Sequence, residues 1–387
     1  MIWGVLTMDE NTNIPSTQLK KKRITKVVFY VMSILLLSTT AMCAFMTYKL
    51  IKSPSTCPKS CTSSSDATDT TEPATDVMSG NTIPEGYTLI SDDDLEKLKD
   101  DSYYLGRDNI LSSIKPMMEN GSTTLKMLRS IYPDHLIYAD AGSYIFKDIN
   151  TDLVMNDYDK SGFKIEKDEF DVPTKVEYYE DDKLVSYTGI DVSKHNGNID
   201  WTKVAKSNVD FAILRAIVRG YGTDGKLLTD ETFDKNAKAA TENGITVGAY
   251  VFSEAITVEE AIEEAELVLS MVKPYNIKGP IVIDIEDIEN DTGRNENLSP
   301  KELTDVVLAF CNKIKEAGYT PMIYCNLKGF IGMLEFERLE GIEKWYAYYG
   351  DDLYFPYEVS IWQYSSSGKI DGISGSVDLN ISFKKYE

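Results

Sequence analysis

Two acidic residues stand two positions apart at the end of an apolar run, Ile281–Glu286. Side chains alternate along a strand, so Asp284 and Glu286 would share one face, with their Cα atoms roughly 6.6 Å apart. Asp191 ends an earlier β-rich run, Asp378 lies in the last one, and the first and last strands of a closed barrel are neighbours. Four carboxyl groups would then meet at one mouth. Repulsion and partial burial would raise at least one pKa, as a general acid working near neutral pH requires. The alternative for each acid alone is a helix cap or an ion pair.

The elements that must position these acids alternate between strands and helices over residues 187–387. Strands are predicted at Gly189–Val192, Phe211–Ala216, Thr246–Phe252, Pro280–Ile285, Pro321–Tyr324, Trp345–Tyr348, Ser360–Tyr364 and Val377–Leu379. Helices are predicted at Trp201–Ser207, Glu231–Asn243, Val258–Val272 and Pro300–Ala317. Thr257 provides an N-cap for the third helix and Ser299 for the fourth. Little helix separates the last three strands, so the pattern predicts a compact α/β barrel with its chemistry at the strand ends.

Residues 83–186 are predicted to form a small α+β domain, to which we assign no chemistry. Ser91 and Asp94 resemble a capping box at the start of one helix, and a second helix is predicted at Thr123–Ile131. Leu136–Phe146 then reads as a strand pair that turns at Gly142.

One segment of this region has the spacing of a calcium-binding loop. Asp157, Asp159, Ser161, Gly162 and Asp168 occupy positions 1, 3, 5, 6 and 12 of such a loop. The twelfth residue is Asp where Glu is usual, and strands and turns flank the segment where helices would be expected. These departures favour an ordinary surface turn of Asp and Gly residues.

The N-terminal part of the chain indicates a membrane anchor. Val27–Tyr48 contains 22 uncharged residues, roughly 33 Å of helix at about 1.5 Å per residue, which is enough to cross a bilayer. A cleaved signal peptide is the alternative, but its apolar region is usually only about 7–15 residues long. Basic residues at 20–26 place the tail, residues 1–26, in the cytoplasm and the rest of the chain outside. Residues 49–82 are polar and predict a flexible stalk, in which Cys57 and Cys61 could form disulfides.

The composition excludes other classes of function. The net charge is −22, although residues 1–52 carry seven Lys and Arg against two Asp and Glu. So acidic a body would be repelled by phosphates, which excludes nucleic acid partners. The chain has only 2 His and 5 Cys, which argues against a zinc site with His and Cys ligands, and no cofactor is expected.

Residues 187–387 also resemble glycoside hydrolase family 25, the N-acetylmuramidase lysozymes with a (β/α)5(β)3 barrel. The matching segments follow the family's order along the chain. They are Gly189–Ser193, His195–Gly197, Ile199–Trp201, Phe233 with Asn236, Gly244–Tyr250, Asp284–Glu286, Ile361–Ser365 and Val377–Asn380.

The resemblance implies cleavage of the β-1,4 bond between N-acetylmuramic acid and N-acetylglucosamine in peptidoglycan. Glu286 would protonate the leaving oxygen, and Asp284 would orient the substrate's acetamido group or stabilise positive charge at the anomeric carbon. Asp191 and Asp378 would complete the acids of the cleft. Direct attack by a carboxylate and attack by the acetamide both remain open, and we favour the acetamide route.

Three further residues are expected to bind substrate. Tyr250 and Trp362 could stack on sugar rings or be ordinary core aromatics, and Gln363 accompanies Trp362 in its motif. Two alternative functions stay open: a barrel that binds wall glycan without cutting it, and another hexosaminidase such as a chitinase-like enzyme. A stalk of about 30 residues reaches at most roughly 100 Å. The enzyme would therefore act near a bacterial cell membrane, in local wall remodelling or beside an envelope machine for secretion or conjugation.

Overall fold

The computed structural model of this 387-residue chain describes residues 90–220, 224–288, 293–350 and 352–387. The predicted tail, membrane helix and stalk, residues 1–82, lie outside the described residues. Among the helices of the described residues, none is both long and apolar enough to cross a membrane. Residues Ile90–Glu387 form one compact unit, and the predicted boundary between residues 186 and 187 falls inside it.

Two helices and two small sheets precede the barrel. In chain order they are α1 (Asp92–Glu119), α2 (Thr124–Ile131), β1 (His135–Asp140), β2 (Ser143–Asp148), β3 (Phe163–Lys167), β4 (Pro173–Glu180) and β5 (Lys183–Leu184). Ser91 and Thr123 cap the two helices by accepting backbone N–H groups. β1 and β2 form an antiparallel hairpin, and its turn residues Ala141 and Gly142 both have positive φ. The predicted cap, second helix and hairpin are therefore confirmed.

The remaining residues alternate strands and helices. They form β6 (Tyr187–Val192), α3 (Trp201–Lys206), β7 (Phe211–Arg219), β8 (Leu227–Thr229), α4 (Phe233–Glu242), β9 (Thr246–Phe252), α5 (Val258–Val272), β10 (Ile281–Asp284), α6 (Pro300–Glu316), β11 (Pro321–Asn326), β12 (Glu343–Ala347), β13 (Ile361–Gly368) and β14 (Val377–Ser382). Each of the eight predicted strands and four predicted helices is present, with ends that differ by at most four residues.

Eight of these strands close into a barrel. β6, β7, β9, β10, β11, β12 and β13 are parallel and pair in that order. β14 lies antiparallel between β13 and β6 and closes the ring, while β8 pairs with β7 at the edge. A π-helical turn, Gly329–Met333, and a 3-10 turn, Phe336–Leu339, fill the connection from β11 to β12. The fold is thus a mixed α/β barrel of eight strands.

The apolar residues form one core inside the barrel and another between the barrel and its outer layer. The inner core contains Phe211, Ile213, Val282, Met322, Trp345 and Ile361, all buried. Gly189 makes room for it, because a Cβ there would lie 2.1 Å from the Phe211 ring. Burying each large apolar side chain contributes about 1.5–3 kcal/mol, so the two cores together hold the strand ends in a fixed ring.

Candidate active site

The carboxyl ends of the parallel strands surround a mouth that contains all four predicted acids. Strand residues supply most of its lining, and Glu286 and Tyr349 come from the loops that follow β10 and β12. The lining residues are Asp191, Tyr250, Asp284, Glu286, Tyr324, Trp345, Tyr349, Gln363 and Asp378. The predicted convergence of Asp191, Asp284, Glu286 and Asp378 is therefore present in the structure.

Strand register explains why these side chains meet. Asp284 lies beside Tyr324 on β11, and Tyr324 lies beside Trp345 on β12, so the three side chains point into the barrel at one level. On the other side Asp378 is directly opposite Asp191. Like charges in directly opposed positions repel, so this pair disfavours two ionised carboxylates.

One detail of the predicted geometry is wrong. β10 ends at Asp284, so Glu286 lies in the following loop and is not the second inward residue of a strand. The chain stops pairing as a strand after Asp284, although Ile285 still donates its N–H to Tyr324 O at 3.1 Å. Glu286 reaches the mouth from this loop, so the orientation of its side chain depends on the contacts that fix the loop.

Burial gives Asp191 an unusual environment. Its side chain is held by two amides, since Gln363 Nε2 and Asn380 Nδ2 donate to Asp191 Oδ2 at 2.8 and 2.9 Å. Burial and the neighbouring Asp378 raise the pKa of Asp191 well above its usual value, against the opposing effect of the two amide donors. The carboxyl group is therefore rigidly oriented and disfavours ionisation.

Asp284 and Glu286 form a closely coupled pair. Burial raises the pKa of Asp284 well above its usual value, and Glu286 and Asp191 raise it further. Burial also raises the pKa of Glu286, while the hydrogen bond from Asp284 opposes that rise. Among the described residues, no N–H or hydroxyl group reaches Asp284 Oδ1. The two carboxyl groups are therefore suited to share one proton and to titrate as a pair.

Asp378 is the fourth acid, and burial raises its pKa to about 6. Its charge raises the pKa of both Asp191 and Glu286. The arrangement thus holds protons to a higher pH than ordinary carboxyl groups do, which is the property that a general acid needs.

Gln363 links the acids to the aromatic wall of the mouth. Its Oε1 accepts hydrogen bonds from Tyr324 Oη at 2.9 Å and from Tyr349 Oη at 2.8 Å, while its Nε2 donates to Asp191. Trp345 Nε1 donates to Asn380 Oδ1 at 2.8 Å, and Asn380 in turn donates to Asp191. The orientation of Asp191 is therefore fixed by a network that spans four strands and one loop.

Of the three predicted substrate-binding residues, two line the mouth and one does not. Tyr250 and Gln363 are part of the lining. Trp362 is fully buried outside the barrel, where its Nε1 donates to Tyr348 O and its ring contacts Phe163. Because Ile361 and Gln363 point inward, strand alternation turns Trp362 outward. Its predicted role as a sugar platform is wrong.

The calcium-loop spacing corresponds to two separate turns. Asp159 accepts the N–H of Ser161 at one end of β3, and Asp168 accepts the N–H groups of Phe170 and Val172 at the other. The five residues of β3 separate the two ends, by about 16 Å at 3.3 Å per residue. Asp157, Asp159, Ser161 and Asp168 therefore cannot converge on one ion. In the described parts of the chain, no group of three or more His, Cys, Asp or Glu side chains could hold a metal.

Several residues of the mouth were not predicted. Tyr324 and Trp345 lie at predicted strand ends, and the inward parity of Asp284 could have identified them. Tyr349 comes from a loop, and no pattern in the surrounding sequence predicts that its side chain lines the mouth. Arg215, on β7, lowers the pKa of Asp284 by its charge and is itself paired with the buried Asp230 at 2.9 Å.

Sequence comparisons with known proteins point to one family. A sequence profile described as Glycosyl hydrolases family 25 matches residues 190–373. The uncharacterized protein YegX of Escherichia coli strain K12 is 32% identical over 218 residues, which cover 51% of this chain and 70% of YegX. The autolytic lysozyme of Clostridium acetobutylicum is 25% identical over 198 residues, covering 50% of this chain and 54% of that protein.

Among solved structures, the spore cortex lytic enzyme SleM of Clostridium perfringens is 25% identical, with a TM-score of 0.45 and coverage of 52% of this chain and 69% of that chain. The family profile spans the barrel from β6 to the segment before β14, and the identity with YegX extends over most of that protein. On these grounds the chain belongs to glycoside hydrolase family 25 and is a glycoside hydrolase of the lysozyme type.

Proposed function

We propose that this protein is a membrane-anchored muramidase that cleaves the β-1,4 bond between N-acetylmuramic acid and N-acetylglucosamine in peptidoglycan. The observation that carries the proposal is the mouth itself, where the buried Asp191 and Asp284 and the half-buried Glu286 and Asp378, all with raised pKa values, face an aromatic wall. Such a site can hold a proton for a glycosidic oxygen and pack against pyranose rings.

In this proposal Glu286 is the general acid. Its pKa is raised by burial and by the charge of Asp378, against the hydrogen bond from Asp284, so it holds its proton to a higher pH than an ordinary glutamic acid. It would transfer that proton to the glycosidic oxygen as the bond to the anomeric carbon breaks. The resulting carboxylate would then accept a proton from the incoming water, which restores the acid for the next turnover.

Asp284 would assist attack by the substrate's own acetamide. The acetamide oxygen would bond to the anomeric carbon, and its N–H proton would move toward the Asp284 carboxylate. Asp284 Oδ1 supports this role, because it is a buried acceptor that no described donor reaches. Asp191 and Asp378 would bind the sugar or set the pKa values, and Tyr250 and Gln363 would contact it. A sugar ester trapped on Asp284 would replace this route by direct attack.

The proposed location is a bacterial cell membrane, with the N-terminus in the cytoplasm and the barrel outside. This part rests on the sequence of residues 1–82, namely the uncharged run Val27–Tyr48, the basic residues before it and the polar stalk after it. Cleavage would then be confined to wall close to the membrane, where an envelope machine could require a local opening. Detergent extraction and protease accessibility of the full chain in cells would test it, since a protein released without detergent would contradict the anchor.

Digestion of purified peptidoglycan by the full chain tests the activity, with the products reduced and analysed by mass spectrometry. Wild type and the matched control Glu259→Gln, which changes an exposed acid on α5, should both release fragments with reducing-end muramic acid. Glu286→Gln should release at least about 100-fold less, the size expected for a lost general acid.

Other products would change the assignment. Reducing-end glucosamine would contradict the proposed bond specificity, and equal cleavage of chitin would indicate a broader hexosaminidase. Wall binding by the wild type without any cleavage would indicate a glycan-binding module.

A further inference from the structure

A chain of charged side chains joins the N-terminal hairpin to the loop that carries Glu286. Lys328 Nζ lies 2.8 Å from Asp140 Oδ1 and 2.6 Å from Asp287 Oδ2. Asp140 is the last residue of β1, at the hairpin turn, and Asp287 directly follows Glu286. Lys328 lies two residues after β11, at the start of the π-helical turn. One ammonium group thus connects two segments that are distant in the sequence.

The hairpin is fixed on the barrel by further contacts. The Tyr138 hydroxyl packs against the π-helical turn so closely that a Cβ at Gly332 would lie 2.5 Å from it. Arg129, on α2, donates from Nε and Nη2 to Ile137 O on β1 and from Nη1 to Tyr348 Oη. Its guanidinium also lies 3.9 Å from the centre of the Tyr354 ring. The hairpin can therefore act as a rigid support for Lys328.

The loop after β10 needs such a support. Glu286 lies beyond the last paired residue of β10, so the sheet does not set its direction. In the described part of this loop, the hydrogen bond from Ile288 N to Glu296 Oε1 is 3.4 Å long. The two ion pairs of Lys328 are shorter, and its side chain is 25% exposed against 38% for Asp287. Ile285, before Glu286, is held by its N–H bond to Tyr324 O, and Lys328 holds Asp287 on the other side.

We propose that residues 124–148, comprising α2 and the hairpin, position the general acid through Asp140, Lys328 and Asp287. These three are positioning residues, because they would act through Glu286 without touching substrate. The proposal rests on the role proposed above for Glu286. It gives a task to a region for which the sequence offered no chemistry: the hairpin holds Lys328, and Lys328 holds the backbone from which Glu286 reaches the mouth.

The proposal predicts that loss of these ion pairs lowers activity but leaves stability nearly unchanged. Partly exposed ion pairs contribute about 0–1 kcal/mol to folding, so their loss should leave the protein folded. A catalytic group must be held within about 0.5 Å of its productive position, and a misplacement of about 1 Å can cost about 100-fold in rate. Loss of the Lys328 contacts should therefore lower turnover far more than stability.

The test uses the full chain and two substrates. One is peptidoglycan, whose leaving oxygen needs a proton. The other is a glycan that ends in N-acetylmuramic acid with a dinitrophenyl group on the anomeric oxygen, which can leave without one. Lys328→Met and Asp140→Asn are compared with Asp148→Asn, a matched change at the other end of the hairpin, where the Asp148 side chain is 93% exposed. Glu286→Gln serves as the reference for a lost general acid.

On peptidoglycan, kcat should fall about 10- to 100-fold for Lys328→Met and about 3- to 10-fold for Asp140→Asn, with KM changed by less than about 2-fold. In the first turnover of the activated substrate, both variants and Glu286→Gln should release dinitrophenol within about 3-fold of the wild-type rate. Asp148→Asn should match the wild type on both substrates.

Three results would overturn the inference. Unchanged kcat for Lys328→Met and Asp140→Asn beside an inactive Glu286→Gln would show that Asp140, Lys328 and Asp287 do not position the acid. An equal loss on both substrates would indicate a general structural defect, and a loss for Lys328→Met alone would remove the hairpin from the mechanism. Full wall activity in Glu286→Gln would instead contradict the proposed function itself.

Discussion

The carboxyl group of Asp378 should make the protein less stable as the pH rises, and Asp378→Asn should remove that loss. Burial raises the pKa of this group from 3.8 to about 6 in the folded protein. Between these pH values the folded state holds a proton that the unfolded chain has lost. Stability therefore falls as the pH rises through this range and stays constant above it. A difference of about 2 pKa units corresponds to at most about 3 kcal/mol.

The assay is urea denaturation of the full chain from pH 4 to pH 8. Asn cannot ionise, so the difference between the variant and the wild type reports the Asp378 charge together with its effect on Asp191 and Glu286. Asp378→Asn should match the wild type within about 1 kcal/mol near pH 4 and exceed it by about 2–3 kcal/mol at pH 8. A constant difference at all pH values, or a variant that is less stable at pH 8, would refute the reasoning.

Asp305, on α6, provides a control in which stability should change with pH in the opposite direction. Lys301 and Arg338 lower the pKa of Asp305, so its contribution to stability is present above the usual pKa and is lost as the pH falls. Asp305→Asn should therefore lose stability relative to the wild type at pH 8 and approach it near pH 3.

Asp378→Asn should also change the dependence of kcat on pH. The charge of Asp378 raises the pKa of Glu286 and Asp191, so its removal lowers both pKa values. The alkaline limb of kcat against pH should move to lower pH in Asp378→Asn. An alkaline limb that moves upward would show that Asp378 does not act on Glu286 by its charge.

Three further substitutions test other parts of the structure by urea denaturation and by kinetics on peptidoglycan. Gln363→Leu leaves the buried Tyr324 hydroxyl without its acceptor and should cost about 1–3 kcal/mol. Arg219→Met removes the partner of the fully buried Glu264, which lies 2.6 Å away. It should cost about 3–5 kcal/mol, and more at pH 8 than at pH 5, because Ser253 would then be the one remaining described partner of Glu264 and no Arg would stabilise its charge. Trp362→Phe should lower stability by about 1–3 kcal/mol without changing KM, since Trp362 lies outside the mouth. Unchanged stability in the first two variants, or a raised KM in the third, would contradict these expectations.

The sequence predicted the barrel and its four acids because both depend on local patterns. Alternation of strands and helices needs only short-range periodicity, and Asp284 and Asp191 stand at the ends of apolar runs whose direction is readable. Asp378 required the further step that the first and last strands of a barrel are neighbours, and their register confirms that step.

The parts that could not be predicted depend on contacts between distant segments. Trp362 and Gln363 are adjacent in the sequence, and a shift of one residue in strand parity exchanges their faces, so composition alone could not separate them. Tyr349 and Lys328 lie in loops, where periodicity carries no information. Their positions follow from Gln363 on β13 and from Asp140 on the hairpin, 14 and 188 residues away in the sequence.

The placement of β14 has a consequence for when the enzyme can first act. This strand follows all others of the barrel in the sequence, yet it lies between β6 and β13 and carries both Asp378 and Asn380. A ribosome makes the chain from its N-terminus, and an incomplete barrel leaves the edges of β6 and β13 unpaired. Until β14 is in place, Asp191 lacks one of its two amide donors and the mouth lacks an acid. A chain that ends before β14 would thus lack a complete mouth, and on the proposed mechanism it would gain activity only with its last strand.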